Sequence, residues 1–134
     1  MDIPSLQVAL PQYFAPWVQA LGLQVQSAQA SQVTLRLPNT DQLSRTGGML
    51  CGQAMMAAAD TAMVLALMQH FGEFRPCTTV QMSSSFLKPL SAQDALVTAT
   101  VLRAGKTMAF GEIDLSGAQD GKSVHRASIT YALL

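Results

Sequence analysis

The spacing of hydrophobic positions changes three times along the chain. Residues 11–21 (PQYFAPWVQAL) carry aromatics at helical spacing, which predicts a short helix within an N-terminal helical segment, residues 1–22. Residues 24–37 hold two strand-like pieces, QVQSAQ and SQVTLRL, the second alternating Val33, Leu35 and Leu37 on one face. Pro38-Asn39 ends that piece, and a polar loop runs through Ser44, Arg45 and Thr46. Gly47-Gly48 then opens a long helix predicted to reach about Phe71. Alanine and methionine favour it, and Gly72 is its stop.

Beyond Gly72 the period shortens to that of strands. Residues 78–87, 95–103, 107–115 and 124–133 read as four strands, with Pro89 closing the first. Ala104-Gly105 and Asp120-Gly121 are placed as tight hairpin turns, the latter with the signature of a type I′ turn. A strand pair, one long apolar helix and a four-strand meander make an α+β design. In it a curved antiparallel sheet of five to six strands wraps around one central helix. A helix apolar on nearly every side fits, because it has to be surrounded.

Within that helix one residue breaks the pattern. Residues 49–68 read MLCGQAMMAAADTAMVLALM, and besides Cys51 the only ionisable side chain is Asp60. A buried carboxylate is costly unless it neutralises or finds partners, so Asp60 is either held by a hidden partner or kept for chemistry. The run just reaches the ~20 residues of a membrane span, but Asp60 would sit at the bilayer centre at a cost of ~2.5–3.5 kcal/mol. No membrane association is expected.

Composition narrows the class. The 134 residues suit one domain, 1–134, with a substantial core. Hydrophobic residues make up 49% and charged ones 12%, too little charge to cover a monomer, so apolar area buried against another subunit is expected. Eight basic and eight acidic side chains cancel, which argues against a nucleic-acid partner. The start, MDIPSLQVALPQ, lacks the basic region of a signal peptide, and two cysteines make no disulfide scaffold, so a reducing cytoplasm is the expected compartment. No His/Cys cluster has ligand spacing, and there is no Gly-rich phosphate loop or serine nucleophile elbow. Neither a metal nor a cofactor is expected.

Four segments resemble one family in the right order. GGMLCGQAMMAAADTAMVLAL is similar to the central helix of the phenylacetate-pathway (PaaI-like) hotdog acyl-CoA thioesterases, a group that includes the human acyl-CoA thioesterase 13 type. TTVQMSSSFLKP resembles the strand that follows in that group, VLRAGKTMAFGEIDL its hairpin and VHRASITYAL its last strand. The resemblance covers roughly residues 20 to 134 and implies a hotdog fold and hydrolysis of acyl-CoA thioesters to free acid and CoA. Members carry His-Gly-Gly at the helix start and an acid about two turns later. Asp60 falls on the acid and Gly52 on the first glycine, while Cys51 replaces the histidine and Gln53 the second glycine. A strand hydroxyl that places the attacking water in related enzymes falls on Thr79, and Arg45 stands where the family usually has Asn or Gln. The resemblance thus implies Asp60 as general base or nucleophile, the Gly52 N–H as oxyanion donor, and Arg45, Cys51 and Gln53 as substrate-binding positions.

Elementary chemistry agrees with these roles. A helix N-terminus offers a free N–H and the positive end of the macrodipole to a developing oxyanion, and glycine lets substrate approach it. Eight helical residues separate Gly52 from Asp60, a rise of ~12 Å, too far for both to act on one carbonyl carbon. If both act, they come from different subunits, so a homodimer or a dimer of dimers is expected. Arg103 and Lys106 flank a hairpin and are placed either on the CoA phosphates or as solvated surface charge. The blander readings are a structural Asp60 salt-bridged to Arg45, a Cys51 that is only a small hydrophobe, and Met55, Met56, Met63 and Met68 as core filler or acyl-tunnel lining. The competing function is a non-catalytic hotdog dimer that binds CoA or an acyl ligand. A hydratase would want histidine four or five residues past the acid, where Val64 and Leu65 stand.

Overall fold

The computed structural model describes all 134 residues. Helix α1 (Ile3–Tyr13) starts at Asp2, whose carboxylate accepts from the Ser5 N–H at 2.9 Å. Helix α2 is a single turn, Pro16–Gln19. The one helix expected over residues 11–21 is therefore two. Ala15 precedes proline and is extended (φ −59°, ψ 151°), as the proline ring forces on its neighbour, so the helical aromatic spacing spans a break. Gln7 ties α1 to the sheet by donating to Leu23 O at 3.1 Å and accepting from Val25 N at 2.8 Å.

Strands β1 (Gln24–Gln29) and β2 (Gln32–Leu37) form the expected pair, with Val33, Leu35 and Leu37 fully buried. The polar loop then folds into a miniature hairpin of β3 (Ser44–Arg45) and β4 (Met49–Leu50). Gly47 (φ 95°) and Gly48 (φ 77°) are left-handed in its turn, a conformation no α-helix accepts, so they do not open the long helix. That helix, α3 (Gly52–Phe71), starts four residues later, capped by Cys51 Sγ, which accepts from Ala54 N at 3.4 Å. Gly72 closes it in the left-handed conformation as predicted.

The remaining strands are β5 (Cys77–Phe86), β6 (Ala95–Ala104), β7 (Met108–Gly117) and β8 (Ser123–Leu133). All pairs in the six-stranded sheet are antiparallel, in the order β1-β2-β6-β7-β8-β5. The predicted four-strand meander is thus a three-strand meander. The connection after β5 returns beneath the start of α3, where Leu50 N donates to Leu90 O at 2.9 Å, so that β6 takes the open edge of β2. β5 is left at the far edge, beside β8, with a bulge at Val80, which has no partner in the ladder. The turn at Asp120-Gly121 is also longer than predicted. Only Gly121 is left-handed, and Gln93 Oε1 accepts from the N–H groups of Gln119 and Asp120, holding a five-residue loop in place of a two-residue type I′ turn.

The sheet wraps α3, which by length and composition alone could cross a membrane. Its alanines Ala58, Ala59, Ala62 and Ala66 are fully buried, and their small side chains let the sheet come close. Gly111 on β7 has the same use one turn past Asp60. A Cβ there would run into Met63 Cε and Sδ and lie 3.0 Å from Thr100 O. Gly111→Ala is expected to cost about 1–3 kcal/mol through overpacking. Urea unfolding checks this as a lower midpoint at unchanged slope; an unchanged midpoint would show that Met63 yields freely.

Candidate active site

The sheet leaves one stripe of α3 uncovered. Gly52, Met56 and Asp60 follow one another at four-residue spacing, which stacks them on one face, and Met56 is 40% exposed. Asp60 is half-buried and turns towards the edge of the sheet. Its Oδ1 accepts from Thr79 Oγ1 on β5 at 2.9 Å and from the Tyr131 hydroxyl on β8. The Tyr131 oxygen also lies 3.0 Å from Asp60 O. Thr79 and Tyr131 are direct partners in the ladder, so both side chains leave the same face of the sheet.

The surroundings of Asp60 are uncharged. Burial above all, then the charge of Asp60, pushes the Tyr131 hydroxyl far above the ordinary phenol range, so it remains a donor. Burial and, secondarily, Asp60 raise the thiol of Cys77 as well, which keeps that neighbour neutral. The one ion pair in the chain joins Arg36 to Asp94 at 2.9 Å, away from this cluster. A structural Asp60–Arg45 salt bridge within the chain is therefore overturned. Arg45 instead points a guanidinium N–H at Met49 Sδ across 3.6 Å. Neutral hydroxyls hold the carboxylate without cancelling its charge, which leaves it available as a base or nucleophile.

At the other end of the stripe, the N–H groups of Gly52 and Gln53 have no acceptor in the chain, since Cys51 Sγ takes only that of Ala54. Gly52 opens onto a cleft of about 430 Å³ walled by Leu50, Met55 and Phe86, with Arg45 and Lys88 among its lining. A Cβ on Gly52 would stand 3.1 Å from Phe86 Cε1, so the absent side chain is what lets the ring lie against the helix start. Cys51 and Gln53 line a different cleft of about 310 Å³, with Trp17, Leu21 and Leu43. Arg103 and Lys106 belong to the β6–β7 hairpin at the opposite end of α3. There Val101 N donates to Ser31 O, and Ser31 Oγ bonds His70 Nδ1 at 2.7 Å. The fold thus joins Asp60 to Thr79 and Gly52 to Arg45, sets Cys51 and Gln53 on a second side of the helix start, and keeps Arg103 and Lys106 apart from both.

Two further residues lie near the site, Tyr131, which the sequence did not single out, and His125, which it placed on the last strand without a catalytic role. Tyr131 was visible only as a polar tip on the inward face of an alternating strand, where a buried hydroxyl needs a partner. His125 is fully buried on β8 with neither ring nitrogen bonded, its ring 4.8 Å from that of Phe86. Burial lowers its pKa and keeps it neutral. The unfolded histidine titrates near ~6.5, so below that pH the unfolded chain binds a proton the folded chain does not, and stability falls as pH drops. It is fully present above about pH 6.5 and declines by up to ~1.4 kcal/mol per pH unit below. Thermal melts across this window should show His125→Leu with a flatter acid-side decline than the wild type; equal declines would clear His125 of that role.

Comparison with known proteins bears on the family and the fold. Residues 47–124 match the sequence model of the thioesterase superfamily, and no curated protein sequence matches the chain. Among solved structures, a candidate thioesterase from a Silicibacter species is 27% identical, covers 100% of this chain and 92% of its own, and superposes with a TM-score of 0.89. Thioesterase superfamily member 2 of zebrafish is 24% identical over 100% of this chain and 99% of its own, with a TM-score of 0.87. The PaaI protein of the Escherichia coli phenylacetic acid degradation operon is 19% identical over 97% and 91%, with a TM-score of 0.83. The last two likenesses are of fold, and the fold they share with this chain is the hotdog.

Proposed function

The chain belongs to the thioesterase superfamily, and on that premise we propose that it hydrolyses acyl-CoA thioesters to the free acid and CoA. Asp60 is the general base that activates water, or the nucleophile that forms a transient anhydride. The observation that carries this reading is the uncovered stripe of α3. It holds a carboxylate bound only by neutral hydroxyls at one end and a free helix N-terminal N–H at the other. Attack on a thioester puts negative charge on the carbonyl oxygen, and a preorganised N–H near a helix dipole stabilises it. Thr79 orients the acid, and Arg45, which lines the cleft at Gly52, contacts the substrate.

Gly52 and Asp60 of one chain stand ~12 Å apart along the helix axis, so each serves a site completed by a second copy. Features of the free surface support that assembly. β5 is a ten-residue edge strand with one side unpaired, and Val80, Phe86 and Leu87 on or beside it are more than half exposed. Met56, between Gly52 and Asp60, is exposed on the same stripe. The test is release of free thiol from acyl-CoAs of graded chain length and from aryl-CoAs. Turnover with any of them is the expected result. Saturable CoA binding with no thiol released would leave a binding protein in its place.

A further inference from the structure

Resting on the reading of Asp60 as the reacting acid, we propose that Tyr131 is a positioning residue that selects which carboxylate oxygen does the chemistry. Together with Thr79 it saturates Oδ1, so that Oδ2 alone meets the substrate. A carboxylate offers about four acceptor positions, two on each oxygen. Both hydroxyls that reach Asp60 bond Oδ1, and no donor in the chain reaches Oδ2. The two donors sit on adjacent strands, which fixes the carboxylate in rotation as well as in place. Of the pair, Tyr131 is the rigid one, being 1% exposed, whereas Thr79 lies on the exposed edge strand. A phenol has one proton, and the carboxylate is a stronger acceptor for it than the Asp60 carbonyl oxygen 3.0 Å away.

Both routes through Asp60 then use Oδ2. As a base, Oδ2 takes a proton from water while the water oxygen bonds the carbonyl carbon. The carbon–sulfur bond breaks and the proton passes to the departing thiolate, giving acid and CoA. As a nucleophile, Oδ2 itself bonds the carbonyl carbon and expels CoA thiolate, and water then cleaves the anhydride, returning the carboxylate. Oδ1 stays fixed by its two donors throughout.

Tyr131→Phe keeps the ring and removes the donor. Thiol release should fall in kcat by about tenfold to a hundredfold, the size of effect that about 1 Å of misplacement has on a reacting group. KM should stay within about twofold, since substrate binding is not touched. Thr79→Val should also lose kcat, and the double variant should lose less than the product of the two single losses, because both donors act on one oxygen. Wild-type kcat in Tyr131→Phe beside an inactive Asp60→Asn overturns the inference and leaves the acid in place. Wild-type kcat in Asp60→Asn overturns the reading of the acid and the inference with it. Should Tyr131→Phe unfold, proton NMR of the wild type decides. A downfield, exchange-protected hydroxyl resonance that moves upfield in Asp60→Asn, where a neutral amide oxygen replaces the carboxylate, supports the bond, and its absence in the folded wild type overturns it.

Discussion

Asp60→Asn should fold like the wild type and release free thiol from acyl-CoA at least about a hundredfold more slowly. A positioned general base is worth about 10²- to 10⁴-fold, and an amide can neither take the proton from water nor form the anhydride. The fold should survive because the amide oxygen still accepts from Thr79 and Tyr131, and removing a half-buried charge relieves its desolvation. KM should change little, since the lost interaction belongs to the transition state. Steady-state thiol release beside a circular-dichroism melt separates the two effects. A variant that melts normally and turns over at the wild-type rate would remove Asp60 from the reaction.

Two inactive variants should restore each other when mixed. Gly52→Pro deletes the proposed oxyanion donor, and loss of one such donor costs about 10²- to 10³-fold in kcat. The helix start should accept it once the Phe86 ring, 3.1 Å from where the new Cβ would stand, gives way. Gly52 is the first helical residue, where proline is at home, and Cys51 already has the extended φ of −73° and ψ of 149° that a following proline favours. In a dimer of Gly52→Pro with Asp60→Asn, one site combines an intact glycine with an intact acid, and the other has neither. Random exchange makes half the dimers mixed, so about a quarter of wild-type sites return. Mixing the Gly52→Pro/Asp60→Asn double variant with wild type should make mixed dimers with no active site. If the first mixture stays as dead as its parts, one chain holds both groups.

The parts of the structure that were legible are those fixed by local pattern. Alternating Val33, Leu35 and Leu37 could only be a half-buried strand, and an all-round apolar run could only be a surrounded helix. Asp60 stood out because it broke that run, and Thr79 followed from the family resemblance. What escaped depended on residues distant in sequence. The helix start moved because Gly47 and Gly48 serve a small hairpin docked on Leu90 and Ser91, which no helix rule could anticipate. The meander lost a strand because the open edge of β2, not the neighbour in sequence, decided what β6 paired with. Tyr131 was hidden because an inward tyrosine looks like core until something is seen to take its hydroxyl. Arg45 misled for a related reason: charge complementarity suggests a pair, but only the path of the loop decides whether the two meet.

The bulge at Val80 acts as a phase shift within β5. From Met82 to Phe86, residues with even numbers face α3; before the bulge the odd ones do, and so Thr79 and Cys77 look at Asp60. Were the bulge straightened with every residue kept, the strand would hold a single parity throughout, and Val80 and Thr78 would stand where the hydroxyl and the thiol now stand. The helix would be untouched and the acid in place, yet it would face a methyl group. Among descendants of this chain, a substitution that irons out the bulge in this exposed edge strand would therefore silence the chemistry while every site residue remained in the sequence.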